Sequence, residues 1–509
     1  MNPMQKRMRH LNLRLCALRC HCWLVQQCFL SFASHSCLHW AAFAIVGAWA
    51  TVATAADATA GNAAALKTRT SAAANPPQGS DWPGFLGPTG DSKSAEVGLT
   101  VPWPAQGPPL VWQLELGDGY GPPAVASGRL FQFDRRAGNA RLRVVNSRTG
   151  KLLWTFEYAS AYEDMYGYDN GPRCSPVVDD GRVYIFGAEG MLQCLTAATG
   201  NPIWKVDTAK QFGVVQNFFG VGSTPVVTGN LVIAQIGGSP PESQQVPPGQ
   251  LHQVVGNGSG IVAFDKRTGA VRYKLTDELA SYAGPKLATI GGRAWCFVFA
   301  RGGLVAIDPT SGKLDFHYPW RARSLESVNA SNPVVAGNQV LISETYGPGS
   351  SLLEVRPGGY KVVWSDAARR REKAMQTHWN TPIYHAGFLY GSSGRHQGDA
   401  VLRCIRLATG EIMWSQPDLA RSSLLYVDGH FVCLSENGTL RLIKVNPRRY
   451  ELVSEVVLHA RGSASVGATA QTEDSLLLKP PAWAAPVLAH GLLYVRGRDR
   501  LVCLRAMSK

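Results

Sequence analysis

ATGEIMW, from Ala408 to Trp414, joins a tight Thr-Gly turn to a bulky aromatic residue four positions after the glycine. Near-copies of this stretch recur along the chain. They read SRTGKLLW ending at Trp154, AATGNPIW at Trp204, KRTGAVRY at Tyr273, PTSGKLDF at Phe316, PGGYKVVW at Trp364 and LATGEIMW at Trp414. Glycine readily adopts the left-handed conformation that hairpin turns require, and a large aromatic side chain favours burial. Each copy therefore predicts a hairpin followed by an aromatic anchor between neighbouring sheets.

A second marker, the start of an apolar strand, precedes each turn. Successive starts are 42 to 62 residues apart, which leaves room for about four short strands in each period. This period is typical of β-propeller blades, which bury their faces against one another. The sequence therefore predicts an all-β fold, an eight-bladed β-propeller of four-stranded blades. The starts are marked by Pro123, Pro176, Pro225, Pro285, Pro333, Pro382 and Pro486, with Leu424 in the remaining place.

The eighth blade lacks its own outer strand, because LVCLRAMSK ends the sequence soon after the third strand. PPLVWQLE, with Trp112 in the anchor position, is predicted to supply that strand from the N-terminal side. Residues 81–109, which begin DWPGFLGP, are predicted to form a strap across one face. The predicted propeller thus comprises residues 81–509, with its blades in residues 110–509.

The composition fits a large folded protein. The 509 residues are 45% hydrophobic and 17% charged, and the 53 glycines and 31 prolines suit many short strands joined by turns. Of the net charge of +14, five units come from basic residues within the first 19 positions. Elsewhere basic residues are scattered, and the run RRREK at 369–373 is either a solvated loop or a small anion-binding patch. Without a long basic stripe, we expect no nucleic-acid partner.

Residues 1–55 have the pattern of a signal peptide. Basic residues precede an apolar stretch that ends in small residues, with a cleavage site predicted at Ala53-Thr54-Ala55. The alternative is an uncleaved membrane anchor, because the apolar stretch is about long enough to span a bilayer. Residues 56–80 are predicted to be a flexible linker. We expect an exported monomer, periplasmic or extracellular, and no leader cysteine has a lipoprotein-signal setting.

Six cysteines follow the leader and are far apart in the sequence. Cys194, Cys404 and Cys503 occupy matching places in LQCL, LRCI and LVCL, where a strand is expected to bury them as small apolar groups. Structural thiols are favoured over disulfides, and no C-x-x-C metal pair occurs outside the leader.

The repeated TG-x-x-x-W hairpin, after a Pro-Val-Val strand and a Val-Tyr strand, resembles the PQQ-like (pyrroloquinoline quinone) β-propeller repeat over residues 110–509. That superfamily includes quinoprotein alcohol dehydrogenases and the outer-membrane assembly factor BamB. The order of leader, linker and DWPGFLGP is similar to secreted planctomycete-type PQQ-like repeat proteins. The resemblance implies blades and not a particular chemistry.

Two departures from the superfamily bear on function. Its dehydrogenases typically carry an adjacent Cys-Cys pair beside the cofactor and acidic Ca²⁺ ligands, and this sequence has no Cys-Cys. BamB is a lipoprotein, and no lipoprotein signal is found here. We therefore expect no cofactor, and we favour a binding module over an enzyme. If PQQ and Ca²⁺ do bind, the resemblance implies Asp169 as the first choice of base, with Arg173 or Arg395 polarising the quinone.

Function is expected on one face of the propeller. The links between blades and the loops between second and third strands share that face and are long and varied, whereas the TG hairpins on the other face are short and alike. The links supply the candidate ligand-binding residues Tyr166, Asp169, Asn170, Arg173, Asn217, Asn329, His378, Trp379, Asn380 and Arg421. The loops supply Glu189, Arg301, Glu344, Arg395, His396 and Glu436.

Each candidate also has a structural interpretation. Link residues can cap strand ends, and opposite charges on a rim can neutralise one another as ion pairs. Glu344 with Asn329 can ligate Ca²⁺, although no spacing requires it. The insertion at residues 237–258 is either a lid or partner-docking loop or a tolerated surface loop, and its Pro and Gln content favours an extended, poorly packed excursion. Residues 459–481 form a second excursion.

The sequence thus predicts a binding or scaffold module of the cell envelope, similar to BamB, whose loop-rich face meets an envelope protein or a small polar or glycan ligand. A PQQ- and Ca²⁺-dependent alcohol dehydrogenase is the alternative. Contact with a membrane is expected only through an uncleaved leader.

Overall fold

The computed structural model of the chain describes residues 79–247, 250–324, 327–369, 372–460 and 475–508. Within these ranges the strands form eight four-stranded antiparallel sheets, each a blade, which confirms the predicted all-β propeller. The predicted leader, nearly all of the linker, Arg370 and Arg371 of the basic run and residues 461–474 of the second excursion lie outside the described ranges.

The first four blades follow the chain in order. Blade 1 consists of β2 (Ala124–Ala126), β3 (Arg129–Arg136), β4 (Asn139–Asn146) and β5 (Leu152–Ala159). Blade 2 consists of β6 (Val177–Asp179), β7 (Arg182–Phe186), β8 (Met191–Thr196) and β9 (Pro202–Asp207). Blade 3 consists of β10 (Val226–Thr228), β11 (Leu231–Gln235), β12 (Ile261–Asp265) and β13 (Val271–Leu275). Blade 4 consists of β14 (Lys286–Ile290), β15 (Arg293–Phe299), β16 (Gly303–Ile307) and β17 (Leu314–Pro319).

The last four blades end with a sheet that uses both ends of the fold. Blade 5 consists of β18 (Val334–Ala336), β19 (Gln339–Glu344), β20 (Gly349–Arg356) and β21 (Gly359–Ser365). Blade 6 consists of β22 (Ile383–His385), β23 (Phe388–Ser393), β24 (Val401–Arg406) and β25 (Ile412–Gln416). Blade 7 consists of β26 (Ser422–Val427), β27 (His430–Ser435), β28 (Thr439–Lys444) and β29 (Leu452–Val457). Blade 8 consists of β30 (Val487–Ala489), β31 (Leu492–Arg496), β32 (Arg500–Arg505) and β1 (Leu110–Glu115), in which β1 pairs antiparallel with β32.

The repeated turn and its aromatic anchor link neighbouring blades. The indole Nε1 of Trp112 in blade 8 donates to the carbonyl of Ser147 in blade 1 at 2.9 Å. Gly150, in the same turn of blade 1, has a φ of +70°, and a Cβ placed on it would lie 2.9 Å from the Trp112 ring. A glycine is therefore required both for the left-handed turn and for the close approach of the ring. This contact explains why the glycine of the turn and the aromatic anchor recur together.

The hydrophobic core lies between blades. Leu142 and Val144 of β4 pack in one cluster with Val183 and Ile185 of β7, and equivalent clusters join other neighbouring blades. The described cysteines Cys174, Cys194, Cys296, Cys404, Cys433 and Cys503 are buried free thiols, and all but Cys174 lie in strands. Burial raises the pKa of the Cys404 thiol to about 12, so this thiol remains protonated and packs as a small apolar group.

Few of the described residues are helical. One short α-helix, α1 (Thr208–Phe212), follows β9, and the insertion in blade 3 contains 3₁₀ turns at Pro241–Gln245 and Leu251–Gln253. Leu251 and Val254 of the insertion are buried against Phe218, so the expectation of an extended, poorly packed excursion is wrong for the described part. No helix within the described ranges has the length and apolarity to cross a membrane.

The strap, residues 81–109, precedes the first strand and contacts several blades. Trp82 forms a β-bridge with Val125 of blade 1 and is 1% exposed, and Lys93 forms a bridge with Tyr426 of blade 7. Between these points, the buried Lys286 of blade 4 donates to the carbonyls of Thr89 and Gly90. The strap is thereby fixed to blades on several sides of the central axis.

Candidate functional site

The links and loops of the varied face surround a cavity of about 470 Å³ at the centre of the propeller. We call it the aromatic funnel. Every blade-to-blade link contributes to its wall, and the strap adds Phe85, Leu86 and Ser92. The cavity lies on the face where the sequence predicted a site. Ten Phe, Tyr and Trp residues line it: Phe85, Tyr120, Tyr166, Tyr168, Phe218, Phe219, Tyr282, Tyr346, Trp379 and Trp483.

The aromatic rings of the funnel contact one another in an almost continuous series. Trp379 and Trp483 have ring centroids 5.3 Å apart, and Tyr120 meets Trp483 edge-on at 4.6 Å. On the other side, the Phe219 ring lies 5.7 Å from Tyr166 and 5.5 Å from Tyr282. Such packing holds large side chains in place at little cost in conformational entropy, so the wall offers preformed apolar surfaces to a ligand.

The link between blades 1 and 2 owes its shape to a buried carboxylate. Asp164 accepts hydrogen bonds from the backbone amides of Tyr166 at 2.9 Å and Tyr168 at 3.3 Å, and pairs with the guanidinium of Arg173. These bonds turn the chain so that both tyrosines reach the funnel, where they are 50% and 61% exposed. Arg173 is held in place by the same carboxylate and by the carbonyl of Asp169 at 2.8 Å.

Three guanidinium groups line the funnel, and no Asp or Glu does so among the described residues. Arg173 is paired with Asp164, and Arg421 forms a two-point contact with Glu436 at 2.8 and 2.6 Å. Arg395 packs 4.6 Å from the centre of the Tyr346 ring, and no described carboxylate forms an ion pair with it. The positive charge of Arg395 is therefore the one that remains available to a ligand.

His378 contributes a neutral polar group to the wall. Its Nε2 atom lies 3.2 Å from the hydroxyl of Tyr346. Burial within the wall, reinforced by the neighbouring Arg421 and Arg395, lowers the pKa of His378 to about 3. The imidazole is therefore uncharged at neutral pH and adds no second positive charge beside Arg395.

Eight of the sixteen residues proposed from sequence as ligand contacts line the funnel, namely Tyr166, Arg173, His378, Trp379, Asn380, Arg395, His396 and Arg421. Three others, Glu189, Asn217 and Arg301, line a second and smaller cavity. The remaining five, Asp169, Asn170, Asn329, Glu344 and Glu436, line neither cavity.

Local hydrogen bonding explains why Asp169 and Asn170 do not reach the funnel. Asp169 accepts from the backbone amides of Gly119 at 3.0 Å and Gly171 at 2.7 Å, so both of its oxygens serve the packing of two links. Asn170 accepts from the amide of Asp164 at 2.8 Å. The position of Asp169 corrects the expectation that it is a base facing a quinone.

Glu344 and Asn329, which were suggested as Ca²⁺ ligands, are likewise engaged in hydrogen bonds within the fold. Glu344 accepts from the amides of Tyr346 at 2.7 Å and Gly347 at 2.9 Å, and its burial raises its pKa to about 7. Asn329 donates from its side-chain amide to the carbonyl of Ala300 at 2.7 Å. The described part of the chain holds no group of three His, Cys, Asp or Glu side chains that could bind a metal ion.

Several funnel residues escaped the sequence analysis. Tyr168, Phe218, Phe219 and Tyr346 stand in the same varied segments as the chosen candidates, so weighting aromatic residues in these segments as heavily as polar ones would have found them. Tyr120 lies in the link before blade 1, from which no candidate was chosen. Trp483 stands two residues after the predicted excursion at residues 459–481, and the preceding Pro480-Pro481 gives no signal that the chain returns to the centre.

Comparisons with known proteins place the fold in a family. Among solved structures, the quinohemoprotein alcohol dehydrogenase from Comamonas testosteroni is 13% identical, with a TM-score of 0.55 over 84% of this chain and 81% of that chain. BamB from Moraxella catarrhalis is 14% identical, with a TM-score of 0.48 over 78% of this chain and 97% of that chain. At such identities the likeness to the dehydrogenase shows a common fold alone. No curated protein sequence matches this chain.

A family model described as outer membrane protein assembly factor BamB matches residues 105–240 and 138–416. The matched stretches together span more than half of the 509 residues. They include the repeated turn and anchor from blade 1 through blade 6. The chain therefore belongs to the PQQ-like β-propeller family of outer membrane protein assembly factor BamB.

Proposed function

We propose that the protein is an exported binding module of the cell envelope, which holds a ligand or a segment of a partner protein in the aromatic funnel. The observation that carries this proposal is the composition of the wall, where ten aromatic residues and three guanidinium groups meet without a described carboxylate. Membership of the BamB family supports a role in the envelope and in protein binding.

The wall favours a ligand with a flat apolar face and an anionic group. A cavity of about 470 Å³ has the size of ordinary small-molecule sites and is wide enough for one side-chain cluster or one or two sugar rings. Rings such as Trp483 and Tyr168 offer flat surfaces for stacking, and Arg395 offers an unpaired charge for a carboxylate or a phosphate. An envelope protein segment and an acidic glycan both satisfy this description.

A PQQ–Ca²⁺ centre fits the funnel only in part. PQQ is a flat tricarboxylate, which suits the aromatic wall and the arginines. Ca²⁺ requires several oxygen ligands, and the carboxylates beside the funnel are already engaged, Asp164 by Arg173 and Glu436 by Arg421. Asp169 lies outside the cavity with both oxygens bonded to amides. The residues present do not fit the centre as a whole, and we derive no dehydrogenase step from it.

The test compares three full-length proteins as immobilised baits for detergent-solubilised envelope proteins and for envelope glycans, with the bound material quantified by mass spectrometry. They are the wild type, Arg395→Ala in the funnel and Arg272→Ala on the exposed outer strand of blade 3. We expect Arg395→Ala to lose species that the other two retain, with an unchanged melting temperature. Equal capture by all three proteins would contradict the proposed site.

Calorimetric titration of the wild type with PQQ, with and without Ca²⁺, addresses the enzyme alternative. Tight binding that depends on Ca²⁺ would favour a quinoprotein and argue against a purely binding role. Binding without Ca²⁺ dependence would agree with a funnel that accepts flat anions.

A further inference from the structure

A second cavity of about 200 Å³ lies beside the funnel, within the loops of blades 2, 3 and 4. Leu251 and Val254 of the blade 3 insertion form part of its wall and are 4% and 7% exposed. Asn217 lines this cavity, whereas the next residue, Phe218, lines the funnel. The space exceeds what one water molecule needs by about tenfold.

Arg301, in the loop between β15 and β16, lines this cavity and is 4% exposed. No described residue accepts a hydrogen bond from its guanidinium or forms an ion pair with it. Its Nε and Nη2 atoms are enclosed without a partner. The guanidinium carbon lies 5.8 Å from the centre of the Phe218 ring, a contact that supplies neither a hydrogen bond nor a counter-charge. A buried charge without such a partner is unfavourable, because it has lost its hydration.

The unpartnered atoms Nε and Nη2 of Arg301 form one edge of the guanidinium. In two other arginines of this protein the same edge binds a carboxylate. Arg141 donates from Nε and Nη2 to the carboxylate of Asp134 at 2.9 and 2.8 Å. Arg421 donates from the same two atoms to Glu436 at 2.8 and 2.6 Å. This two-donor edge matches the two oxygens of a carboxylate or a phosphate.

No described carboxylate pairs with Arg301. Arg321 is a second guanidinium close enough to lower the pKa of Arg301, which burial together with Arg321 brings to about 10. Glu189 lines the same cavity, but its two oxygens accept from the hydroxyls of Tyr158 at 2.7 Å and Ser160 at 2.8 Å. Glu278 attracts Arg321 and is itself engaged by His317 at 2.8 Å and the amide of Gly302 at 2.6 Å.

We propose that the second cavity is a binding site for a small oxoanion, a carboxylate or a phosphate, with Arg301 as its principal ligand. Arg301 lines the cavity, and no described hydrogen bond fixes the orientation of its guanidinium. The insertion covers the site through Leu251 and Val254 and shields the resulting ion pair from water. This site is separate from the aromatic funnel and does not depend on the function proposed for the funnel.

The experiment uses the full chain in a buffer without oxoanions and adds inorganic phosphate or acetate, with sodium chloride at equal ionic strength as the reference. Melting temperature and calorimetric heat are measured for the wild type, Arg301→Gln, Arg301→Lys and the control Arg272→Gln on the exposed outer strand of blade 3. We expect saturable stabilisation of the wild type and of Arg272→Gln by phosphate, acetate or both. The two anions distinguish a phosphate site from a carboxylate site.

Arg301→Gln should lose this stabilisation and should melt no lower than the wild type in the oxoanion-free buffer, because it removes an unpaired buried charge. Arg301→Lys keeps the charge but not the two-donor edge, and should bind at least about tenfold more weakly. The proposal fails if neither anion stabilises the wild type beyond chloride or if Arg301→Gln responds like the wild type. It also fails if both Arg301 variants melt well below the wild type without oxoanions, since Arg301 would then serve the fold.

Discussion

The guanidinium carbon of Arg421 lies 4.4 Å from the centre of the Trp379 ring, while two nitrogens of the same group bind Glu436. Glu436 also accepts from the indole Nε1 of Trp483 at 3.0 Å. One ion pair therefore orients two tryptophans of the funnel and compensates the charge of Arg421. Since Arg173 is likewise paired, Arg395 is the guanidinium that faces a ligand with its charge unpaired.

Replacing Glu436 by Gln should destabilise this part of the funnel. The variant keeps the side-chain size but leaves the half-buried Arg421 without its counter-charge, and we expect the free energy of unfolding to fall by about 2–3 kcal/mol. Glu411→Gln is the matched control, because its pair with Arg406 is exposed and should contribute less than about 1 kcal/mol. Urea denaturation of both variants measures the difference. Equal losses of unfolding free energy would show that burial of the Arg421–Glu436 pair adds no stability.

The buried carboxyl of Glu344 should make the protein less stable at higher pH. Its folded pKa of about 7 is above the usual value of 4.5, so folding favours the protonated form. The contribution of Glu344 to stability is therefore greatest below pH 4.5, and falls as the pH rises to 7, by about 3 kcal/mol. Glu344→Gln should remove this slope, so that its stability relative to the wild type is higher at pH 8 than at pH 5. A constant difference between the two proteins across this range would mean that Glu344 is already ionised at pH 5.

His378 should act in the opposite direction. Its folded pKa of about 3 is below the usual 6.5, so the stability that it contributes is complete above pH 6.5 and is lost as the pH falls toward 3. Between pH 7 and pH 5 this loss amounts to about 2 kcal/mol and largely offsets the gain from Glu344. His378→Gln should remove the loss, whereas His396→Gln, at an exposed position of the funnel, serves as the control. Chemical denaturation at several pH values measures both, and a pH profile of His378→Gln that parallels the wild type would contradict the assignment.

The propeller could be predicted because its signals are local and repeated. A glycine turn, an anchor four residues later and an apolar strand start recur in nearly every blade, and each is fixed by backbone conformation and burial rather than by distant contacts. The placement of link side chains has no such regularity. Tyr166 reaches the funnel while Asp169, three residues later, binds the amide of Gly119 in another link.

The composition of the funnel was therefore only partly accessible from sequence. Polar residues such as His378 and Arg395 were proposed because they have no evident structural purpose, and they do line the cavity. Phe218 and Tyr282 look like ordinary core residues in sequence, and only their convergence from separate links makes them walls of a cavity. Arg301 lacks an ion-pair partner because the neighbouring loops bring no described carboxylate into contact with it. This arrangement of separate loops cannot be read from the sequence.

A pair of glycine variants tests the anchoring of one blade to the next. Gly200 and Gly181 have similar φ values of +77° and +72°, so alanine is strained at both positions to a similar degree. A Cβ at Gly200 would lie 2.5 Å from the Trp154 ring of the preceding blade, whereas a Cβ at Gly181 would meet no atom within 4 Å. Gly181→Ala should therefore cost about 1 kcal/mol of backbone strain. Gly200→Ala should cost a further 1–3 kcal/mol or so, because the ring must shift in a packed interface. Urea denaturation of both variants isolates the contact between glycine and anchor, and equal costs would show that the aromatic ring does not require the glycine.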